Sequence, residues 1–337
     1  MMTMTKGSQS LMFAESPYVI GHGAVAGKKE SEGPLGKKFD YVDDTNMFGE
    51  KTWEQAESSM QRMACRHAME NADVTPKDVR YLFGGDLLRQ GVATSMGVEK
   101  MQIPMFGLFG ACSTSGEALA LSAMCVAAGY GDMILAVTSS HFGSAEKEFR
   151  FPLGYASQRP LSASWTVTGS GAFVVGRKKS HVRISGVTIG KIVDFGLKDS
   201  QNMGACMAPA ACDTIVTNLK DFGREPEEYD RIITGDLGYV GQTILFDLMR
   251  KKGFNIRPNH ADCGKLIFDQ DSQDTHAGGS GCGCAAITLA AYILPKLESG
   301  EWKKVLFVPT GALMSTVSYN EGNSVPGIAH AIVLEHC

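Results

Sequence analysis

Hydrophobic positions along the chain change period repeatedly. Short continuous apolar runs, the mark of a strand buried on both faces, alternate with longer stretches whose apolar residues recur at helical spacing. Residues 103–109 read as a buried strand, residues 113–128 as an alanine-, leucine- and methionine-rich helix packed on most sides, and residues 133–140 as the next strand. Between the first two lies Phe109-Gly110-Ala111-Cys112-Ser113-Thr114-Ser115-Gly116, where an apolar run ends, a cysteine appears and small residues lead into the helix. Helical patterns at 51–71 and 209–222 each pass through a short polar link, Thr75-Pro76-Lys77-Asp78 and Glu225-Pro226-Glu227-Glu228, into a strand. Proline after Thr75 fits the first helical position behind an N-cap. Beta-rich runs at 164–175 and 327–334 close the two series.

The two series are copies of each other. Residues 110–136 match 281–307, with Gly129 on Gly300, Ile134 on Val305 and Leu135 on Leu306. The strands that precede them both end in Gly-Asp-Leu, at Gly85-Asp86-Leu87 and Gly235-Asp236-Leu237. Chance likeness between two alanine-rich helices would not also reproduce those strands and their order. The alternation predicts an α/β fold of two duplicated halves, with mixed or parallel sheets and helices in layers. The chain divides accordingly into a disordered N-terminus at 1–10, an N-terminal half at 11–178 and a C-terminal half at 179–337. A pseudo-twofold between the halves would bring the two glycine-led helix starts together near the centre.

Composition narrows the partners. With 337 residues and 44% hydrophobic content the chain can bury a large core, and disorder is excluded. A net charge of −4, without long blocks of like charge, argues against nucleic acid. The longest apolar stretch, near 282–294, falls short of the roughly 18 to 20 residues that span a bilayer. The start Met1-Met2-Thr3-Met4-Thr5-Lys6 lacks an apolar signal core, so synthesis in the cytoplasm without a signal peptide is expected. Nine scattered cysteines suit a reducing interior better than a disulfide framework.

Cys112 is the leading chemical candidate. At a helix N-terminus the unpaired N–H groups and the positive dipole end favour a thiolate, and equally favour a bound carboxylate. The alternative is a small core residue. Gly21-His22-Gly23-Ala24-Val25-Ala26-Gly27 has the look of a dinucleotide turn, yet no helix opens behind it. His260, Cys263, His276, Cys282 and Cys284 could suggest zinc, but no Cys-x-x-Cys pair exists and no metal is expected. Met60, Met63 and Met69 fit a core or a subunit contact, and a homodimer is an open possibility.

A duplicated α/β chain with a cysteine opening its first central helix resembles the thiolase superfamily. Within it the chain is most similar to a stage V sporulation family of spore-forming bacteria. The segments that carry the likeness include Gly85-Asp86-Leu87, Leu108-Phe109-Gly110-Ala111-Cys112-Ser113-Thr114-Ser115, Thr138-Ser139-Ser140-His141, Thr166-Val167-Thr168-Gly169-Ser170-Gly171-Ala172, Asp199-Ser200-Gln201 and Ala277-Gly278-Gly279-Ser280-Gly281-Cys282. The resemblance implies a thiolase-like fold and a function without turnover. That function is binding of dipicolinic acid (pyridine-2,6-dicarboxylate), with or without calcium, for uptake into the developing spore. Membrane proteins of the same sporulation operon would be partners, and the location peripheral to the inner spore membrane.

The superfamily's condensing enzymes pair the cysteine with bases from the second half, and this chain departs from them. Gly278 stands where thiolases carry a histidine, Ile233-Thr234-Gly235-Asp236-Leu237-Gly238 has no histidine, and Val308-Pro309-Thr310-Gly311 replaces the second cysteine. An acyl-CoA- or acyl-carrier-dependent condensing enzyme acting through Cys112 is the alternative, with His276 or His141 brought in by a loop. For a dianion the candidates are Cys112, the hydroxyls of Ser139 and Ser140, His141 at a strand end, and Asp194 as its orienting partner. Arg150 and Arg159 are candidate carboxylate clamps, and Gly279 and Ser280 complete the set. The plainer readings are a satisfied strand-end histidine for His141, a turn former for Asp194 and solvent-facing side chains for the arginines.

Overall fold

The computed structural model describes residues 4–149 and 158–337. Ten strands follow one another along the path of the main sheet: β1 (Tyr18–Gly27), β2 (Tyr81–Gly85), β3 (Met105–Leu108), β4 (Met133–Ser140) and β5 (Gly169–Gly176) from the first half. The second half supplies β6 (Val182–Thr188), β7 (Arg231–Thr234), β8 (His260–Asp262), β9 (Lys304–Val308) and β10 (Ala331–His336). Their order is β8-β7-β9-β10-β6-β1-β5-β4-β2-β3. Read outward from the β1–β6 junction, each half has the same order, and in each the last strand of the half runs antiparallel to its neighbours. The junction itself is antiparallel, Val182 facing Val19.

Alternation along these strands builds the layers. In β4, Ile134 and Ala136 join a central core while Leu135 and Val137 join an outer one. In β9, Val305 and Phe307 point to the same central core, and Leu306 and Val308 to the outer core of the second half. Successive strand side chains face opposite ways, so both faces must be covered, which is why the runs read as continuously apolar. Helix α1 (Trp53–Ala72) covers one outer face, and α3 (Met203–Phe222) with α4 (Gly238–Lys251) the other. Between the half-sheets lie α2 (Thr114–Ala128) and α5 (Cys282–Thr288), the latter continued through a π turn at Leu289–Ile293 into Leu294–Glu298. The approach of α5 to β5 requires glycine: a Cβ on Gly171 would lie 2.6 Å from the Ala286 carbonyl carbon.

Several expectations change. The N-terminus is ordered from residue 4: Thr5–Lys6 pairs with Ser10–Met12, which pairs with β6. The reason lies on α3, where Asp221 accepts from Ser8 N, Gln9 N and Ser10 Oγ. Strand β3 is a sheet edge with Phe106 55% exposed, and not a buried strand. Helix α3 begins six residues before Pro209, where Asn202 caps the N–H of Ala205, so the proline stands inside the helix and does not open it. By composition α2 with its preceding turn, Ala111–Ala128, is long and apolar enough to cross a bilayer, but it is the core helix between the half-sheets.

Candidate functional site

The helix starts meet as the duplication predicts, and the meeting is asymmetric. Ahead of α2 a tight turn, Ala111–Ser113, carries Ala111 at φ 52°, a left-handed conformation that costs a non-glycine residue about 1 kcal/mol or more. That turn sets Cys112 against the second half: its Sγ lies 3.9 Å from Ser280 Oγ. Ser280 Oγ in turn donates to Asp236 Oδ2 at 2.9 Å, Gly281 N donates to the same oxygen at 2.9 Å, and Thr310 Oγ1 donates to Oδ1 at 2.7 Å. Asp236 follows β7 and is buried.

The electrostatics oppose a thiolate. Burial, first, and then the charge of Asp236 hold the Cys112 thiol well above its ordinary range. Burial likewise raises the Asp236 carboxyl, against the hydrogen bonds that favour its charged form. Asp236 is held by three donors and its charge works against the thiolate, so it does not stand in for the histidine base that a condensing enzyme uses to take the thiol proton. The helix dipole, the ground for expecting a reactive thiolate, is outweighed by desolvation.

Cys112 and Ser280 line a cavity of about 400 Å³. Its apolar lining comes from Leu87, Phe109, Ala312, Leu313 and Met314, and its polar lining from Thr166, Ser200, Gln201, Thr316, Ser318 and Tyr319. Charge comes from Arg89, Glu146 and Glu148. Volume and mixed lining are those of a small-molecule pocket.

The remaining expected residues go elsewhere. Ser139 Oγ donates to Glu57 and accepts from Gln61, both at 2.8 Å, and Ser140 Oγ donates to the Val167 carbonyl at 2.7 Å. His141 has its Nε2 2.8 Å from the Asn46 carbonyl while its Nδ1 accepts from Gly143 N at 3.0 Å. It is therefore a neutral ring with both nitrogens engaged, its pKa lowered by burial, and it does not line the cavity. Asp194 is exposed in a loop beyond β6, where it accepts from Gly196 N and Ser324 Oγ. It ends no strand and does not orient His141, the two having separate partners. Arg159 is buried; it donates to the Asp274 carbonyl at 2.8 Å and lies 4.8 Å over the Trp165 ring. Gly279 pairs with Trp165 in a two-residue ladder beside Ser280. Arg150 lies outside the described residues.

Histidines are missing from the cavity wall among the described residues. His276 hydrogen-bonds the Pro160 carbonyl and pairs with Asp274, and His260 lies against Thr234 and Phe246. No group of three or more His, Cys, Asp or Glu side chains converges among the described residues. Sequence reasoning missed Asp236, although its Gly-Asp-Leu repeat was visible, and Ser200 and Gln201, although they stand in a segment that carries the family likeness. Nothing in the sequence pointed to Arg89, Glu146, Glu148 or the 312–319 segment.

Solved structures fix the class. A 3-oxoacyl-[acyl-carrier-protein] synthase III from Aquifex aeolicus aligns over 95% of this chain and 100% of its own, with a TM-score of 0.57 and 14% identity. A variant of OleA from Xanthomonas campestris aligns over 96% and 99%, with a TM-score of 0.59 and 13% identity. A tetronic acid condensing enzyme aligns over 94% and 99%, with a TM-score of 0.60 and 15% identity. The fold is thiolase-like. More specific are two matches in sequence: the family model of stage V sporulation protein AD (SpoVAD) covers residues 7–335, and Stage V sporulation protein AD of Bacillus subtilis (strain 168) is 40% identical over 329 residues. That alignment covers 98% of this chain and 97% of the relative. The chain belongs to the SpoVAD family and is a sporulation protein.

Proposed function

We propose that the chain binds dipicolinic acid in the cavity at Cys112 and passes it on unchanged to membrane proteins of the same sporulation operon, working peripherally at the inner spore membrane. The observation that carries this reading is the pairing of Cys112 with Asp236 through Ser280: a thiol held protonated beside a carboxylate already engaged by three donors is a poor nucleophile and a serviceable cavity wall. The apolar lining from Leu87, Phe109 and Met314 suits an aromatic ring. The side-chain amide of Gln201, with Arg89, offers donors to carboxylates at its edge. Net transport would follow from release to a partner, so no chemical step is needed.

Calorimetric titration with dipicolinate, with and without calcium, tests this reading. Saturable binding supports it, and absence of heat at millimolar ligand removes it. The condensing reading draws on the thiolase-like fold and the cysteine at a helix start. Mass spectrometry after incubation with acyl-CoAs separates the two, because a stable acyl adduct on Cys112 sinks the account of binding without turnover.

A further inference from the structure

The cavity has an unbalanced charge for a site that would take a dianion. Glu146 and Glu148 are on its wall, and the carboxyl of Asp236 lies directly behind Cys112 and Ser280. Among the described residues Arg89 is the single cation on that wall. Its place is set firmly. Asp86, at the end of β2, accepts from Leu88 N at 2.8 Å and from Thr94 N and Oγ1 at 2.8 and 2.6 Å. The following Gln90 and Gly91 both adopt left-handed φ, 60° and 61°. That turn holds the Arg89 backbone at the cavity edge. In the second half no such turn exists: after Gly235-Asp236-Leu237 helix α4 begins at once, at Gly238. Arg89 is therefore a feature of one half alone, the half whose helix start opens on the cavity.

Its side chain is 70% exposed and its present partners are weak ones. Nε lies 3.3 Å from Glu148 Oε2, and Nη2 donates to Thr316 Oγ1 at 3.3 Å. An exposed ion pair of this kind contributes little and is readily exchanged for a planar bidentate contact. The geometry points to Arg89 as the specificity-determining residue of the cavity, one that gives up Glu148 to clamp a ligand carboxylate. Glu148 is then a competitor for the same guanidinium, and the cavity selects for ligands whose second carboxylate can displace it. This assignment rests on the dicarboxylate reading above.

The test uses the full chain and two probes, pyridine-2,6-dicarboxylate and pyridine-2-carboxylate, titrated calorimetrically into the wild type, Arg89→Ala, Arg89→Lys and Glu148→Gln. Loss of a charge-assisted pair predicts that Arg89→Ala weakens the dicarboxylate about tenfold or more and the monocarboxylate much less, erasing the preference between them. Arg89→Lys restores part of the preference as a point charge. Glu148→Gln tightens the dicarboxylate, a gain that a merely structural role for the pair would not produce. If the wild type binds the dicarboxylate and the ratio of the two affinities is unchanged in both Arg89→Ala and Glu148→Gln, the assignment is overturned alone. If the wild type binds neither probe, the dicarboxylate reading falls and the assignment with it.

Discussion

The two helix starts descend from the same repeated sequence and now do different things. Cys112, ahead of α2, faces a cavity; Cys282, opening α5, is fully buried and its thiol donates to the Ser139 carbonyl at 2.8 Å. The two Gly-Asp-Leu turns diverge in the same way. Asp86 satisfies the backbone of its own turn, whereas Asp236 reaches across to Ser280, Gly281 and Thr310. Duplication therefore provides a symmetric frame of strands and helices, and the asymmetry that makes a site comes from which half's turn is packed shut. In the second half a buried aspartate closes the start. In the first the turn at Ala111 holds it open.

Glycine replacement at the two starts probes this contrast most strongly. Gly281 has φ 106°, and a Cβ there would lie 2.5 Å from Ser140 Oγ and 3.0 Å from Ser140 Cβ. Gly281→Ala is expected to destabilise the chain by about 3 kcal/mol in denaturant titration. Gly110 has an ordinary negative φ, and its Cβ would meet the far end of the Glu117 side chain at 2.6 Å. Gly110→Ala should cost about 1 kcal/mol or less. Equal losses would erase the distinction between a packed and an open start.

Buried acids give the two halves different pH signatures. Glu57, against Ser139 and Ser144, is raised from 4.5 to about 8 by burial and then by Asp86. Asp262, beside β7, is raised from 3.8 to about 6 by burial. A folded pKa above the unfolded one means that the folded chain keeps a proton the unfolded chain has released, so stability falls as pH rises through that window. Each group contributes a slope of up to about 1.4 kcal/mol per pH unit. Glu57→Gln is expected to flatten the stability curve up to about pH 8, and Asp262→Asn only up to about pH 6. Chemical denaturation across pH 5 to pH 8 (about three units) distinguishes them; one shared midpoint would contradict the separate environments.

The smallest expected effect concerns the thiol. Asp236→Asn removes the charge beside Cys112 and should speed its alkylation by iodoacetamide roughly tenfold, the equivalent of one pK unit. Asp86→Asn, in the equivalent turn, should leave the rate unchanged. Acceleration by Asp86→Asn alone would place the controlling acid in the wrong half.

The strand and helix order was legible because every central strand is covered on both faces and so carries a continuous apolar run, as in 133–140. Strand β3 was misjudged for a related reason: Met105, Phe106 and Phe109 are apolar but stand at an edge, and hydrophobicity alone does not distinguish a covered face from an exposed one. The N-terminal residues carry no pattern of their own; Asp221, more than two hundred positions away, orders them. At the site, Cys112 and Ser280 were readable from small residues at the helix starts. His141 and Asp194 were not separable from binding residues by type, since a histidine turned inward to Asn46 and an aspartate folded over Gly196 look alike in sequence to ligand contacts. Arg89 and the 312–319 segment meet only in the folded chain.

The central claim is that the cavity at Cys112 receives a dicarboxylate and releases it chemically unchanged. Calorimetric titration of dipicolinate into the wild type and into Ser280→Trp, a substitution that fills the cavity beside Cys112, tests it most directly. The account predicts saturable binding to the wild type, recovery of intact dipicolinate, and loss of the heat in the variant while its circular dichroism is retained. Unchanged affinity in a folded Ser280→Trp, or no binding by the wild type, would contradict it.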